Sequence, residues 1–554
     1  MCGIAGMIGS DWTIHQFDEL FDSIRHRGPD GSGVYQAADL RIGMHRLKIR
    51  GPDVRLPIQV NPDTVAAYNG QIYGVHTPGD LFSCLPGGIE NEVAVVLSQV
   101  PNVDGMYACS LASMDGTSVS LKTDGHFIKP LFYRRQGQGI AFCSELRSLT
   151  RMSTSNRIDR AALAELFCYG WYLSDRSYLS NLNLVWKHDI SVSGRTVQEM
   201  PKMPLPRAAR PSDFKAEIRR AIRESVWRCM GGSGPFGIAI SGGLDSSILA
   251  WELNAAGFES VVTLSICTDD GQDGLASLAD LNLPSGGAWE TWKHRTIILK
   301  DDAEFLTGFE SSTALFGQPS TMSSLPLYLR LAEAAAEEGV RVLLTGEGVD
   351  EFFGGYASYA KTCGSPDPLD YYRHPPREKL TRVLFGDDEL NIVQQRFAET
   401  YSGCADIRHV ERDLRLTRLL LRTDVCLMSQ SIEGRVPYLH NRIPELAMSV
   451  PWQELATAPG KRLLREAYRT ELGARVSIRK GRFKASDSVL RRCLAKPELS
   501  KRISASVAQV FGKPAAERCL LILKTEDGFD ADVSCLLMSL TFLLEGGRID
   551  GHAG

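Results

Sequence analysis

The sequence opens Met1-Cys2-Gly3-Ile4. Removal of Met1, which a small second residue permits, would leave Cys2 carrying both a thiol and a free α-amine. That pairing suits acyl transfer: the thiolate attacks a carbonyl, and the adjacent amine replaces the base that other nucleophiles borrow from a histidine. Far downstream, Ser241-Gly242-Gly243-Leu244-Asp245-Ser246-Ser247 follows a short apolar run and opens a helix-like stretch. Its glycines permit a tight turn with N–H groups pointing inward, and the helix N-terminus favours an anion. The serine hydroxyls add donors, so a phosphate is the expected guest. There is no Gly-Lys-Ser/Thr ending, so this is not a Walker A loop. A further group, Thr345-Gly346-Glu347-Gly348-Val349-Asp350-Glu351-Phe352-Phe353-Gly354-Gly355-Tyr356, places three acids directly after the apolar run Val340 to Leu344.

The cysteine has company. His26-Arg27-Gly28-Pro29-Asp30-Gly31, His45-Arg46-Leu47, Tyr68-Asn69-Gly70-Gln71-Ile72-Tyr73, Lys129-Pro130-Leu131 and Phe142-Cys143-Ser144-Glu145 follow in that order. The ordered set resembles the class II glutamine amidotransferases, and in particular the asparagine synthetase family, over essentially the whole N-terminal region. A tetrahedral intermediate at a glutamine amide needs an oxyanion hole. The resemblance assigns it to the side-chain amide of Asn69 and the backbone N–H of Gly70. It also implies Arg46 as the forked cation for the substrate's α-carboxylate, Ile49 and Gln71 as further glutamine-binding positions, and Glu90 for the α-amine. The chain departs from the family pattern at Glu90, where aspartate is usual, at Gln71 (glutamate), at Gly74 (asparagine) and at Phe127 (glycine).

The serine-rich turn resembles the PP-loop of ATP pyrophosphatases, which cleave ATP between the α and β phosphates. The acidic segment resembles the asparagine synthetase motif on the other side of the nucleotide. The resemblance implies that ATP lies against Ile240, Ser241, Gly242, Gly243, Asp245, Ser246, Ser247, Ile266, Thr345 and Gly346, and that Asp245 and Asp350 hold Mg²⁺, an ion suited to hard carboxylate oxygens. Leu421-Arg422-Thr423-Asp424, Glu433 to Leu439 and Gly460 to Ala467 continue the likeness. There Lys461 is the candidate for offsetting charge at the α-phosphate. Glu347 is the candidate for taking the attacking amine's proton or positioning the acyl group. Together these imply that an acid is activated as its adenylate, that Cys2 releases ammonia from L-glutamine, and that ammonia displaces AMP. His440 stands where the family typically has an aspartate, and Cys267 to Leu283 is atypical, in that the family's loop there usually carries more charge. The acceptor is therefore expected to be L-aspartate or another carboxylic acid. A lactam-forming cyclase is disfavoured by Cys2, and a silent relative by Cys2, Asp245 and Asp350.

These residues need a frame. Short β-like runs such as Thr64 to Tyr68 and Ile140 to Cys143 punctuate a glycine-rich N-terminal region. The proline-rich Pro201 to Ser212 reads as a boundary. Asp213 to Cys229 is helix-like, with Phe214, Ile218, Ile222 and Val226 at four-residue spacing. Beyond it, Gly237 to Ile240, Ser246 to Asn254, Val261 to Ile266, Leu325 to Glu338 and Val340 to Leu344 alternate strand and helix, the pattern of a parallel sheet with helices on its faces. Glu411 to Glu471 reads as mainly helical. The expected architecture is α/β. Residues 1–195 form an Ntn-hydrolase-type sandwich acting as glutaminase, 196–212 link, and 213–554 form a Rossmann-like, parallel-sheet PP-loop synthetase with added helices.

Composition agrees with an enzyme. The 554-residue chain is 43% hydrophobic and 23% charged with a net charge of −4, which argues against a dedicated nucleic-acid binder. Thirteen cysteines without CxxC pairs suit a reduced cytoplasmic protein. No secretory signal is visible, and Leu536 to Leu544 is too short to cross a membrane. The expected partners are L-glutamine, ATP and the carboxylic acid, with no nucleic acid and no membrane, and a homodimer is left open. The basic run Arg479 to Lys484 is read as a solvated face.

Overall fold

The computed structural model describes residues 2–77, 80–83, 89–97, 103–153, 156–194, 196–203, 209–232, 234–268, 281, 283–364, 368–404, 406–457, 459–473, 485–525 and 529–547. Most of Cys267 to Leu283, and the basic run 479–484, lie outside them.

The N-terminal half is a sandwich of two antiparallel sheets. The first has six strands in the order Leu182–Leu184, Phe132–Gln136, Gly139–Cys143, Cys2–Ile8, Leu40–Arg46, Gly31–Ala37. The second has the path Thr196–Pro201, His188–Ser193, Ser118–Thr123, Val103–Ser113, Thr64–Thr77, Ile58–Asn61, with Asp80–Ser83 also paired to Thr64–Thr77. Strand period sorts the side chains. Ile4 and Ile8 point into the core between the sheets, with Ile42, Ala67 and Ala108. Ala5 and Met7 point the other way, toward Phe17 and Leu20 of the helix Ile14–Asp22. The sandwich reaches further than its expected end at residue 195. Thr196–Pro201 pairs along His188–Ser193 as an edge strand, where a terminal proline costs no ladder bond.

The next helix, Phe214–Cys229, is capped by Asp213, whose side chain accepts the N–H of Ala216, and it buries Phe214, Ile218, Ile222 and Val226. It leads into a five-stranded parallel sheet ordered Lys293–Leu299, Val262–Thr268, Phe236–Ala239, Val342–Leu344, Glu433–Arg435. Its middle strands Phe236–Ala239 and Val342–Leu344 read as apolar runs, as suits strands covered on both faces, and all of Val262–Thr268 is buried. Glu433–Arg435 interrupts a region expected to be helical. With only three residues and two charges it carries no strand signal of its own, and it forms because Val342–Leu344 offers an open ladder. The C-terminal helices Asp487–Ala495 and Ala531–Glu545 pack against the helix Asp302–Phe316. Leu536 to Leu544 falls within the buried helix Ala531–Glu545, and among the described residues no helix is long and apolar enough to cross a membrane.

Candidate active sites

Cys2 begins the strand Cys2–Ile8 and is in register with Arg46 on one neighbour. Its backbone nitrogen donates to Asn69 Oδ1 at 2.9 Å. That bond fixes the orientation of the fully buried Asn69 amide, so its Nδ2 points elsewhere and has no hydrogen-bond partner. Gly70 follows with no room for a side chain, since a Cβ there would lie 2.1 Å from the Met106 carbonyl oxygen. Beside these groups is a cavity of about 460 Å³ lined by Cys2, Arg46, Ile49, Gly70 and Gln71. Burial pushes the Cys2 thiol up, while the charge at the chain start, a backbone hydrogen bond from Leu47 and Arg46 pull the other way. A thiol held protonated needs a nearby base.

Glu90 is exposed and does not line this cavity. The acid of the same helix that does is Glu92, whose Oε2 accepts from the Tyr68 hydroxyl and the Ile72 N–H, each at 2.9 Å. Two further wall residues, Glu433 and Arg435, arrive from the parallel sheet. Burial alone would raise the Glu433 pKa, but Arg435, the chain start and Lys129 bring it down to about 2.

The second cavity, about 1100 Å³, opens at the carboxyl ends of Phe236–Ala239 and Val342–Leu344. Ser241, Gly243, Asp245 and Ser246 line it from one loop, Thr345, Gly346, Glu347 and Asp350 from the other, and Lys461 from a third. Gly243 caps the helix Leu244–Ala255 without a side-chain hydrogen bond, so the helix end keeps its anion-binding character. Ile240, Ser247 and Ile266 are buried and do not line the cavity, nor does Gly242. Ser247 Oγ donates to the Gly243 carbonyl at 2.9 Å, bracing the turn from inside.

Lys461 Nζ sits 2.5 Å from Asp245 Oδ2 and 2.6 Å from Asp350 Oδ1. Burial would lower its pKa, but the two carboxylates outweigh that and keep it charged. Gly355 must be glycine, because a Cβ would lie 1.8 Å from Asp350 Oδ1 and 2.3 Å from Lys461 Cε. Glu347 Oε1 accepts from Arg422 at 2.9 Å, from Thr423 at 3.0 Å and from the Tyr328 hydroxyl. Glu347 Oε2 is buried without a hydrogen-bond partner.

Buried charge joins the halves. Arg27 donates to Asp424 at 2.7 Å and to Glu145 at 3.3 Å, and Lys129 donates to the Gly434 carbonyl at 3.2 Å. His440 lines neither cavity. Its Nδ1 lies 3.0 Å from Asp104 Oδ1 and its ring meets Tyr73 edge-on at 4.6 Å. This departure therefore bears on the domain interface rather than on the acceptor. Phe127 occupies the left-handed region at φ +60 that favours glycine, with its ring fully buried.

An antiparallel sandwich with a thiol at its first strand, joined to a parallel sheet with a serine-lined turn, defines a two-domain amidotransferase. Residues 217–517 match the asparagine synthase family model, and residues 1–78 and 95–196 match the glutamine amidotransferase domain. The chain belongs to the asparagine synthase family. Similar curated proteins include asparagine synthetase [glutamine-hydrolyzing] 2 of Bacillus subtilis (strain 168), 24% identical over 81% of this chain and 67% of that one. Asparagine synthetase B [glutamine-hydrolyzing] of Escherichia coli (strain K12) is 23% identical over 83% of this chain and 77% of its own. Among solved structures, the allosteric regulatory enzyme of purine biosynthesis overlaps 54% of this chain and 81% of its own at 12% identity and a TM-score of 0.26, too distant to add to the assignment.

Proposed function

We propose that the chain is a glutamine-dependent carbon–nitrogen ligase that amidates a carboxylic acid, L-aspartate in the first instance, at the expense of ATP. Residues 1 to about 201 act as the glutaminase and the region from 213 as the synthetase. The reading rests above all on one observation: Cys2 and the serine-lined turn each face a cavity of their own.

In the first cavity the Cys2 α-amine, freed by loss of Met1, takes the thiol proton. The thiolate attacks the glutamine amide carbon, and the oxyanion is met by Asn69 Nδ2 and the Gly70 N–H. Ammonia leaves with the proton, and water cleaves the thioester to glutamate. Arg46 holds the α-carboxylate. Glu92 and Glu433, both in the cavity wall, are better placed for the α-amine than the exposed Glu90.

In the second cavity the loop Ser241–Ser247 takes the phosphates of ATP. The acid's carboxylate attacks the α-phosphorus, pyrophosphate leaves, and Lys461 offsets the charge that builds there. Ammonia then attacks the acyl carbon, AMP departs, and Glu347 Oε2 receives the excess proton. Asp245 and Asp350 already converge on one cation, the Lys461 ammonium at 2.5 and 2.6 Å. That donor set fits Mg²⁺, which binds through one or two carboxylates plus substrate phosphates and neutralises phosphate charge when bound.

Two measurements test the proposal. Cys2→Ala is expected to abolish glutamine hydrolysis while ammonia-driven amide synthesis continues. Exchange of labelled pyrophosphate into ATP is expected to require the acid. Acid-independent exchange, or loss of both nitrogen sources together in Cys2→Ala, refutes the two-site reading.

A further inference from the structure

We propose that Arg418 selects the acceptor by binding an anionic group at the end of the acid remote from the carboxyl that is amidated. This rests on the function proposed above and names the residue that would decide which acid is used.

Arg415, Arg418 and Arg422 all line the larger cavity. Arg418 and Arg422 lie four residues apart on one face of the helix Thr417–Met428, and Arg415 lies in the π-helical turn Arg412–Leu416 that leads into it, a feature that often marks functional sites. The three cations differ in what neutralises them. Arg415 pairs with Glu411 at 2.9 Å and covers the Tyr356 ring at 4.4 Å. Arg422 pairs with Glu347 at 2.9 Å, donates to Ser324 at 2.7 Å and lies over Tyr328. Arg418 donates to the Gly170 carbonyl at 3.3 Å and to the Thr321 hydroxyl, and among the described residues it forms no ion pair. Its Nε is buried without a hydrogen-bond partner, as are those of Arg415 and Arg422, so it is the missing ion pair that sets Arg418 apart. Asp532, the acid nearest in effect, is ion-paired to Arg377. Burial pulls the Arg418 guanidinium below the usual arginine value, yet arginine stays protonated in proteins.

A half-buried guanidinium without a carboxylate is costly, and its retention in a cavity wall is accounted for by an anion that arrives with a ligand. The phosphates already have the serine-lined turn and Lys461. Arg418 instead lies one helical turn, about 6 Å of rise, from Arg422, and Arg422 touches the Glu347 at which the amide would form. An acid attacking from the Lys461 side and running past Glu347 would bring its far end to Arg418. Asp532 also lines the cavity and lies beyond residue 517, where the family match ends. The wall around Arg418 is thus partly built by a segment outside the shared family region, as suits a feature that tunes this chain's own acceptor.

The test is pyrophosphate exchange by the full chain with Mg²⁺, using acids paired by removal of one carboxylate: L-aspartate against 3-aminopropanoate, and glutarate against butanoate. In the unaltered protein the dianionic member of a pair is expected to drive exchange and its partner to fail. Arg418→Gln is expected to raise KM for the dianion by about 10- to 100-fold, the loss of one charge-assisted contact, with KM for ATP unmoved. Arg418→Lys, which keeps the charge but not the fork, is expected to recover part of the affinity. Thermal melting of both variants checks that the fold persists. Equal use of both members of each pair, or a rise in KM for ATP in place of KM for the acid, overturns the assignment. Absence of acid-driven exchange in the unaltered protein overturns the ligase reading itself, and this inference with it, before any variant is compared.

Discussion

Replacing Asn69 probes the glutaminase site most sharply. In the proposed reaction its amide does two jobs: Oδ1 accepts the Cys2 N–H at 2.9 Å, and Nδ2, fully buried and without a partner, would meet the oxyanion. Asn69→Ala removes both. Loss of one oxyanion donor lowers kcat by about 10²–10³, or about 2.7–4 kcal/mol of barrier. The orphaned Cys2 nitrogen adds about 1–3 kcal/mol of lost stability. Asn69→Asp separates the two effects. It keeps an oxygen for Cys2 but puts a second acceptor, and a buried negative charge, where the donor was. Hydrolysis is expected to fall below that of Asn69→Ala, while the strand register stays intact. The assay is glutamate release from glutamine, run beside amide synthesis from ammonia and urea unfolding. Glutamine hydrolysis by Asn69→Ala within about threefold of the parent rules out an oxyanion role of the usual size. A parallel fall in ammonia-driven synthesis shows the damage to be structural.

Other outcomes follow from single contacts. Gly355→Ala would force a Cβ to within 1.8 Å of Asp350 Oδ1 and 2.3 Å of Lys461 Cε; displacing that pair by an ångström is expected to cut pyrophosphate exchange by about 100-fold, with glutamine hydrolysis preserved. Arg27→Met would take from the buried Asp424 its nearest cation, leaving Lys129 at 3.6 Å, while Glu145 keeps Arg147 at 2.7 Å; urea unfolding is expected to show a loss of about 3 kcal/mol, the low end for a broken buried pair. Glu445 has its pKa raised to about 7, by burial first and then by Asp104. The folded state therefore binds that proton more tightly than the unfolded chain, and the favourable contribution present at acid pH is lost as pH rises through about 7. Glu445→Gln is expected to gain about 1–2 kcal/mol over the parent at about pH 8, after discounting for partial exposure, and nothing at about pH 4.

Much of the site is legible in the sequence because its chemistry is local. The turn Ser241–Ser247 and the segment Thr345–Asp350 each carry their donors on consecutive residues, so the motif contains the geometry. The helix Phe214–Cys229 is legible from apolar spacing for the same reason. What sequence reading misses is assembled from afar. Glu92 differs from Glu90 only in which side of one helix it occupies, and only the hydrogen bonds to Tyr68 and Ile72 reveal the choice. Glu433 and Arg435 wall the Cys2 cavity from the other end of the chain, and a charged three-residue strand gives no periodic signal. His440 reads as a substrate-site departure because it follows a motif, yet its partner is Asp104.

That same short strand explains why the halves hold together. Along Glu433–Arg435 the side chains of the first and last residues fall on one face, and both line the Cys2 cavity. The Arg435 carbonyl accepts the N–H of Thr345, the first residue of the loop at the nucleotide cavity, at 3.0 Å. Arg435 is fully buried; its Nε meets Glu433 at 2.5 Å, and Nη1 reaches the carbonyls of Cys229 and Gly231. Domains joined by small polar interfaces ordinarily rock against each other. Here such motion would uncover the buried Arg435 and strip the buried Lys129 from the Gly434 carbonyl of this strand. A cost of about 3–5 kcal/mol attaches to parting Arg27 from Asp424, both buried and paired across the same boundary. The buried ions add little net stability compared with apolar packing of the same volume, but they make separation of the two cavities expensive and so hold each at a fixed distance from the other.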